Sequence, residues 1–457
     1  AFILLFLIFL AVRNRIIPFN ANIARRTFLL TGDEPAYMLL AYSLAHDRDM
    51  NIRNNVIEES WKAFQNRRVC KKFKGSYEYF ARLSPAMKKK ERKKWQGKQV
   101  IVYRPAISVL IAASAFSKKR MRWWAYTIVS SFALAGIVLI IINAVKAGVN
   151  FNASLILNIL FILSPPGFFY MNQAFPEIPV AIILCLAIVL LFNESFLNII
   201  FSSLLVISAP WFTDRAIPPA FFIGLACFFS AQGKRRKATI FTILLTGAVM
   251  LAKYYYNRFG VLYPIHHNQR VSPSISYIIK GLPMVFFERS RGVIWLFPLI
   301  ILAPCGYLKW WNMNWKRRVC ILSFLSLSAS ILVVASFPDW RGGTCPAGRY
   351  GVMFQWLLLP VFLAWTKDGL FKKNNLIIIV LLLLSVSESF LLYNHPNFWY
   401  RMYHPLAEYS FFQSIYKYLP DLQNKNAIEY AKLLFWFFIV VLINIAVFKK
   451  KFKRARP

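Results

Sequence analysis

Long apolar runs separated by short polar breaks make up most of this chain. After a first run at 1–12, the runs lie at roughly 123–145, 152–170, 178–192, 196–211, 216–231, 238–257, 283–307, 319–337, 350–366, 375–393 and 431–448. A hydrocarbon core of ~30 Å takes roughly 20 apolar residues in a helix. The pattern predicts an all-α polytopic membrane protein with about twelve transmembrane helices.

The first run is short for a span and does not begin with Met. We expect the sequence to start partway through its first helix, with a cleaved signal peptide as the alternative. The long polar stretch 13–122 is predicted as the first extracytoplasmic loop, within a transmembrane domain at 1–448. A basic cytoplasmic tail is expected at 449–457.

The segment 105–116 decides the predicted topology. It is apolar but too short to span, so we predict a helix that lies along the membrane surface or re-enters it. If it spans instead, every later loop changes sides.

Composition and charge support the membrane class. Hydrophobic residues make up 58% of the 457 residues, and mean hydropathy is +0.47. The formal net charge is +38. Short loops rich in Lys and Arg stay in the cytoplasm, which places the loops around 234–237 and 316–318 inside. The opposite loops contain acids, histidines and single arginines, so we predict that the polar chemistry gathers on the extracytoplasmic face of the plasma (inner) membrane.

Several short motifs occur in order along the chain. They are Gly32-Asp33-Glu34-Pro35-x-Tyr37, Tyr103-Arg104-Pro105-Ala106, Phe175-Pro176-Glu177, Trp211-x-x-x-Arg215, Phe287-Glu288-Arg289-x-x-Gly292-Val293, and Trp340-x-Gly342-Gly343-x-Cys345-Pro346-x-Gly348-Arg349-Tyr350. Together they resemble the integral membrane glycosyltransferases of the GT-C type. The similarity is greatest to protein O-mannosyltransferases and to the lipid A aminoarabinose transferase.

The resemblance implies a reaction. The donor would be a sugar on a polyprenyl phosphate, transferred with inversion to an acceptor hydroxyl of a lipid, glycan or protein at the extracytoplasmic face. Asp33 matches the first acid of the family motif, which implies that it is the general base. Glu34 would orient the acceptor or hold a divalent cation, Mg or Mn. Many relatives carry a His before the Pro of the surface helix, where this chain has Arg104.

Cations and aromatic residues complete the predicted site. The leaving lipid phosphate gains charge, and arginine binds phosphate through two parallel hydrogen bonds. The predicted phosphate ligands are Arg104, Arg215, His266, Arg289 and Arg349, and the predicted sugar or acceptor contacts are Glu177, Trp340 and Tyr350. Simpler interpretations exist: an arginine at a helix end commonly reaches the headgroups, Glu177 would equally form an ion pair with Arg215, and the aromatic residues suit an interfacial belt.

Two other functions compete with a glycosyltransferase. A polysaccharide ligase or polymerase would use similar surface chemistry, and the late loop at about 393–430 is the region to compare. A transporter or flippase of lipid-linked sugars is the non-enzyme alternative, although the sequence shows no internal repeat. The six cysteines lack metal-ligand spacing, and no nucleotide-binding glycine loop occurs, so we do not expect a nucleotide-driven pump. The basic segment 62–98 is predicted to face away from the cytoplasm, so we do not expect nucleic-acid binding.

Overall fold

The computed structural model describes residues 34–50, 55, 105–116, 121–171, 173–259, 275–289, 292–313, 315–337, 348–372, 375–394, 417–422 and 426–452. Within these ranges the regular structure is helical and contains no strand, as the apolar pattern predicts. The chain forms two compact units, one made of Ala1–Phe132 with Met171–Pro176 and the other of Ala133–Tyr170 with Glu177–Pro457.

The first unit contains two short helices in contact. Helix α1 (Glu34–His46) packs against α2 (Pro105–Ile111) and the 3-10 helix Ala112–Phe116 that follows α2. The Ser108 hydroxyl donates to the Tyr37 carbonyl at 3.0 Å, and both residues are buried. The segment predicted as a short helix at 105–116 is therefore helical, while the position of α2 in the bilayer stays a prediction.

The remaining helices follow in chain order. Helix α3 (Met121–Lys146) continues from the first unit into the second; the others are α4 (Phe151–Leu163), α5 (Gly167–Tyr170), α6 (Glu177–Leu190), α7 (Phe196–Ser208), α8 (Ile217–Ser230), α9 (Lys234–Phe259), α10 (Ile275–Phe287), α11 (Val293–Leu296), α12 (Ala303–Asn312), α13 (Arg317–Ala335), α14 (Gly351–Trp365), α15 (Leu376–Asn394) and α16 (Ala427–Phe452).

Four of the described helices are long and apolar enough to cross a membrane by themselves. They contain the segments Trp123–Lys146, Lys234–Asn257, Arg317–Ala335 and Ala427–Val447. Seven shorter apolar helices of 10–17 residues accompany them. These helices are those of a membrane protein, and the count of about twelve spans stays a prediction.

Two predicted spans are interrupted, and a proline stands at one break in each. The span 152–170 divides into α4 and α5 at Pro165-Pro166, and Ser164 before them is extended at φ −86° and ψ 145°. The span predicted at 283–307 instead begins as α10 at Ile275. It then divides into α10, α11, the 3-10 helix Pro298–Leu302 and α12, and Phe297 before Pro298 is non-helical.

Helices α6 and α14 form the centre of the second unit. Every residue of both helices is buried, and the two helices pack against each other. Apolar residues on all sides are typical of a helix surrounded by protein. Both helices begin next to predicted site residues, because Glu177 is the first residue of α6 and Tyr350 directly precedes α14.

Candidate functional site

A buried ion pair joins the beginnings of α6 and α14. Arg349 Nε donates to Glu177 Oε1 at 2.5 Å, and the two side chains are 6% and 5% exposed. The sequence allowed an ion pair between Glu177 and Arg215, and the structure corrects this: the partner is Arg349. Because desolvating two charges is expensive, such a pair is stable only while both charges are present.

Arg215 contacts the tyrosine that follows Arg349 in the sequence. Its guanidinium carbon is 3.8 Å from the centroid of the Tyr350 ring, while that of Arg349 is 5.6 Å from this centroid. Two cations therefore contact one aromatic ring, an arrangement that is favourable for each cation through the ring quadrupole. Residues from three separate motifs, those of Glu177, Arg215 and Arg349-Tyr350, meet here.

The charges of this cluster are not balanced by the side chains that form it. Among the residues that the structure describes, Arg215 makes no ion pair or hydrogen bond, and Glu177 Oε2 is buried with no hydrogen-bond partner. The neighbouring Asp214 carboxylate accepts a hydrogen bond from the Tyr255 hydroxyl at 2.8 Å. The cluster thus offers one cation for an anion and one carboxylate oxygen for a hydrogen-bond donor.

Gly348 shapes the backbone that presents Arg349. Its φ of +77° lies in the left-handed region, which favours glycine. A Cβ atom at this position would lie 2.6 Å from Leu296 Cδ1 and 3.0 Å from Pro166 Cβ. The glycine of this motif is therefore required both by its backbone conformation and by the close approach of neighbouring side chains.

A buried glutamine that sequence reasoning missed supports the same region. Gln355 Oε1 accepts from the Gly167 amide at 2.8 Å, and Gln355 Nε2 donates to the Phe161 carbonyl at 2.8 Å. These bonds satisfy backbone groups at the proline break between α4 and α5. The available signal was a single polar residue within the apolar run 350–366.

Arg289 belongs to a second group of charges in the same unit. It forms an ion pair with Asp421, and its amide donates to the Pro420 carbonyl at 3.0 Å. The Asp421 amide donates to Glu429 Oε2 at 2.6 Å, and Glu429 Oε1 pairs with Lys432 Nζ at 2.7 Å. The predicted phosphate ligand Arg289 is thus compensated by a carboxylate that the sequence analysis had not singled out.

In the first unit, Glu34 is buried at the start of α1. Its Oε1 accepts a hydrogen bond from the Ala174 amide at 2.9 Å. The Tyr37 ring meets Phe175 edge to face, with 6.5 Å between ring centroids. The segment that contains Phe175 is therefore held to the first motif by both a hydrogen bond and an aromatic contact.

The predicted divalent cation stays a prediction, because Asp33, one of its two predicted ligands, lies outside the described residues. One Glu34 oxygen is used by the Ala174 amide. The part of the chain that the structure describes contains no group of three His, Cys, Asp or Glu side chains able to hold a metal ion. We therefore derive no reaction step through Mg or Mn.

Four predicted site residues lie outside the described residues: Asp33, Arg104, His266 and Trp340. Their predicted roles stay predictions. Comparisons of the chain with protein families, with curated proteins and with solved structures give no match. The class that the structure itself defines is a helical membrane protein with a buried Glu–Arg pair and two cations on one tyrosine.

Proposed function

We propose that this protein is an integral membrane glycosyltransferase that uses a polyprenyl-phosphate sugar donor. The observation that carries the proposal is the meeting of Glu177, Arg349-Tyr350 and Arg215, which are far apart in sequence. The motif resemblance supports the same function, because these residues belong to the motifs shared with GT-C enzymes.

The cluster suits a glycosyl phosphate by its chemistry. Arg215 lacks a described counter-ion, so it can bind a phosphate oxygen without first breaking an ion pair. Glu177 Oε2 has no hydrogen-bond donor among the described residues, and a sugar hydroxyl can supply one. Both guanidinium groups contact the Tyr350 ring, which holds the two cations in the same part of the cluster. A ligand with a phosphate next to a hydroxyl-bearing ring satisfies both groups.

The proposed step is a single displacement. The acceptor hydroxyl oxygen bonds to the anomeric carbon, the bond from that carbon to the phosphate oxygen breaks, and the electron pair leaves with the lipid phosphate. The hydroxyl proton passes to a carboxylate, for which the motif resemblance implies Asp33. Because the leaving phosphate gains negative charge, Arg215 stabilises the transition state more than the bound donor.

The test is sugar transfer by the full-length protein purified in detergent, with radiolabelled polyprenyl-phosphate sugars extracted from membranes and an extract of envelope acceptors. The wild type should consume donor. Asp33→Asn should abolish transfer while donor binding persists, because the amide is not a base but keeps the size of the carboxylate.

The controls separate the alternatives. Lys372→Gln removes an exposed cation near Asp368, outside every site motif, and should leave transfer unchanged. Donor turnover retained in Asp33→Asn would contradict its role as base. Donor binding without consumption in the wild type would contradict the enzyme and favour a carrier of lipid-linked sugars.

A further inference from the structure

A dense basic patch lies at one end of the second unit, outside the site described above. It consists of Lys234, Arg235, Arg236, Lys237, Arg317 and Arg318, at the beginnings of α9 and α13. All residues from 232 to 239 are exposed. We call these six residues the basic end patch.

The basic end patch has almost no internal compensation. The first turns of α9 and α13 contain no acidic residue. The neighbouring carboxylate of Glu194 pairs with Lys316, at 2.8 Å between Oε1 and Nζ. The six cations are therefore available to an anion supplied from outside the protein.

Aromatic groups hold several of these cations at defined places. The Arg236 guanidinium carbon is 5.1 Å from the Phe196 ring centroid, and Lys237 Nζ is 5.8 Å from that of Phe228. Arg318 Nη1 donates to the Phe229 carbonyl at 3.4 Å. Through these contacts, the cations of α9 and α13 lie next to the beginning of α7 and the C-terminal end of α8.

The surface next to the patch is apolar. One turn further along α9, the exposed side chains become Phe241, Leu245 and Val249, which are 55%, 49% and 56% exposed. This helix is also one of the four able to cross a membrane. A change from cations to exposed apolar side chains along one helix is typical of the boundary between headgroups and acyl chains.

We propose that the basic end patch binds the phosphate headgroups of anionic glycerophospholipids, with their acyl chains against the apolar face of α9. A soluble phosphate would use only the cations, whereas a phospholipid covers the cations and the adjoining apolar face together. Each Lys or Arg near an anionic membrane surface contributes measurably to attraction. This inference does not depend on the proposed catalytic function.

The experiment measures lipid binding to the full-length protein in a neutral detergent by native mass spectrometry and by the thermal unfolding midpoint. The probes are phosphatidylglycerol, phosphatidylcholine with the same acyl chains, and inorganic phosphate. The test variant is Lys234→Gln/Arg235→Gln. The matched control, Lys146→Gln/Lys372→Gln, removes the same charge from two exposed residues elsewhere in the unit.

We expect phosphatidylglycerol to bind the wild type and the control alike and to raise their unfolding midpoint. The test variant should lose roughly 30-fold in affinity for this lipid, for two charges removed. Equal binding to both double variants, or equal binding of phosphatidylcholine, would overturn the proposal. If inorganic phosphate raised the unfolding midpoint as much as phosphatidylglycerol, the patch would be a simple ion site, and the proposal of a lipid site would be overturned as well.

Discussion

Arg349 and Arg289 each pair with a carboxylate in the second unit, but their surroundings differ. The side chains of Arg349 and Glu177 are 6% and 5% exposed, whereas those of Arg289 and Asp421 are 29% and 15% exposed. The first pair has a further cation beside it, Arg215 on the Tyr350 ring. The second pair is followed by Glu429 and Lys432, whose charges cancel.

This difference distinguishes two roles that the sequence treats as one. An additional phosphate can bind a guanidinium that has no ion pair among the described residues, and Arg215 is such a group. At Arg289 the phosphate must compete with Asp421. Under the proposed function, we therefore propose the phosphate contact at the buried group and a bracing role for the Arg289 group.

The largest expected effect is on stability, when the buried pair is broken. Glu177→Gln leaves the Arg349 guanidinium buried without its carboxylate, which costs about 3–5 kcal/mol. Asp421→Asn, the matched change at the more exposed pair, should cost about 1 kcal/mol or less. Thermal unfolding midpoints in detergent measure both changes. The double variant Glu177→Gln/Arg349→Gln should recover much of the loss, and equal losses at the two pairs would remove the contrast.

A smaller effect is expected from the loop that carries Arg349. Gly348→Ala combines a left-handed backbone with the close approach to Leu296 and Pro166, and should cost about 2–3 kcal/mol. Gly233 has a similar φ of +80° with nothing within 4 Å of an added Cβ. Gly233→Ala should therefore cost only about 1 kcal/mol. If Gly348→Ala and Gly233→Ala had equal unfolding midpoints, the close contacts at Gly348 would not contribute to the cost of the substitution.

Donor affinity tests the contrast directly. Arg215→Gln should lower the affinity for polyprenyl phosphate about 10- to 100-fold, because a hydrogen bond to a charged group is lost. Arg289→Gln should change this affinity less than about threefold, because Asp421 already occupies that guanidinium. Calorimetric titration with a short-chain polyprenyl phosphate measures both. A larger loss at Arg289 than at Arg215 would reverse our assignment.

The smallest effect on donor affinity is expected when the carboxylate that pairs with Arg289 is removed. Asp421→Asn removes a carboxylate that competes with phosphate, so donor affinity should rise about two- to fivefold. Asp368→Asn removes an exposed carboxylate, 71% exposed, and should leave donor affinity unchanged. The same titration compares the two. A lowered affinity in Asp421→Asn would mean that the Arg289 group supports binding through its bracing.

Hydropathy predicted most helices because a long apolar run leaves few alternatives, as in α3 and α13. It failed where polar or special residues divide a run. The charged Lys280 lies inside α10, so the hydropathy pattern placed the start of the span at 283, whereas the helix begins at 275. At Gly292 the backbone passes very close to the preceding turn. Its amide donates to the Glu288 carbonyl at 2.7 Å, and a Cβ atom at this position would lie 2.6 Å from that oxygen.

The candidate site was predictable in its residue types but not in its pairings. Glu177, Arg215 and Arg349 were identified from motifs that resemble those of GT-C enzymes. Which carboxylate meets which arginine depends on how helices pack, and Glu177 and Arg349 are 172 positions apart. The roles of Asp421 and Gln355 were missed because each is an ordinary polar residue until its buried partner is known.

The burial of α6 and α14 also affects how deep a charged group can lie. With 14 and 15 residues, these helices are ~21–23 Å long at 1.5 Å per residue, several ångströms short of a ~30 Å hydrocarbon core. Surrounded by other helices, they need not match the thickness of the lipid, since irregular backbone at membrane depth is tolerated where protein encloses it. The Glu177–Arg349 pair can therefore lie below the headgroups while protein encloses both charges.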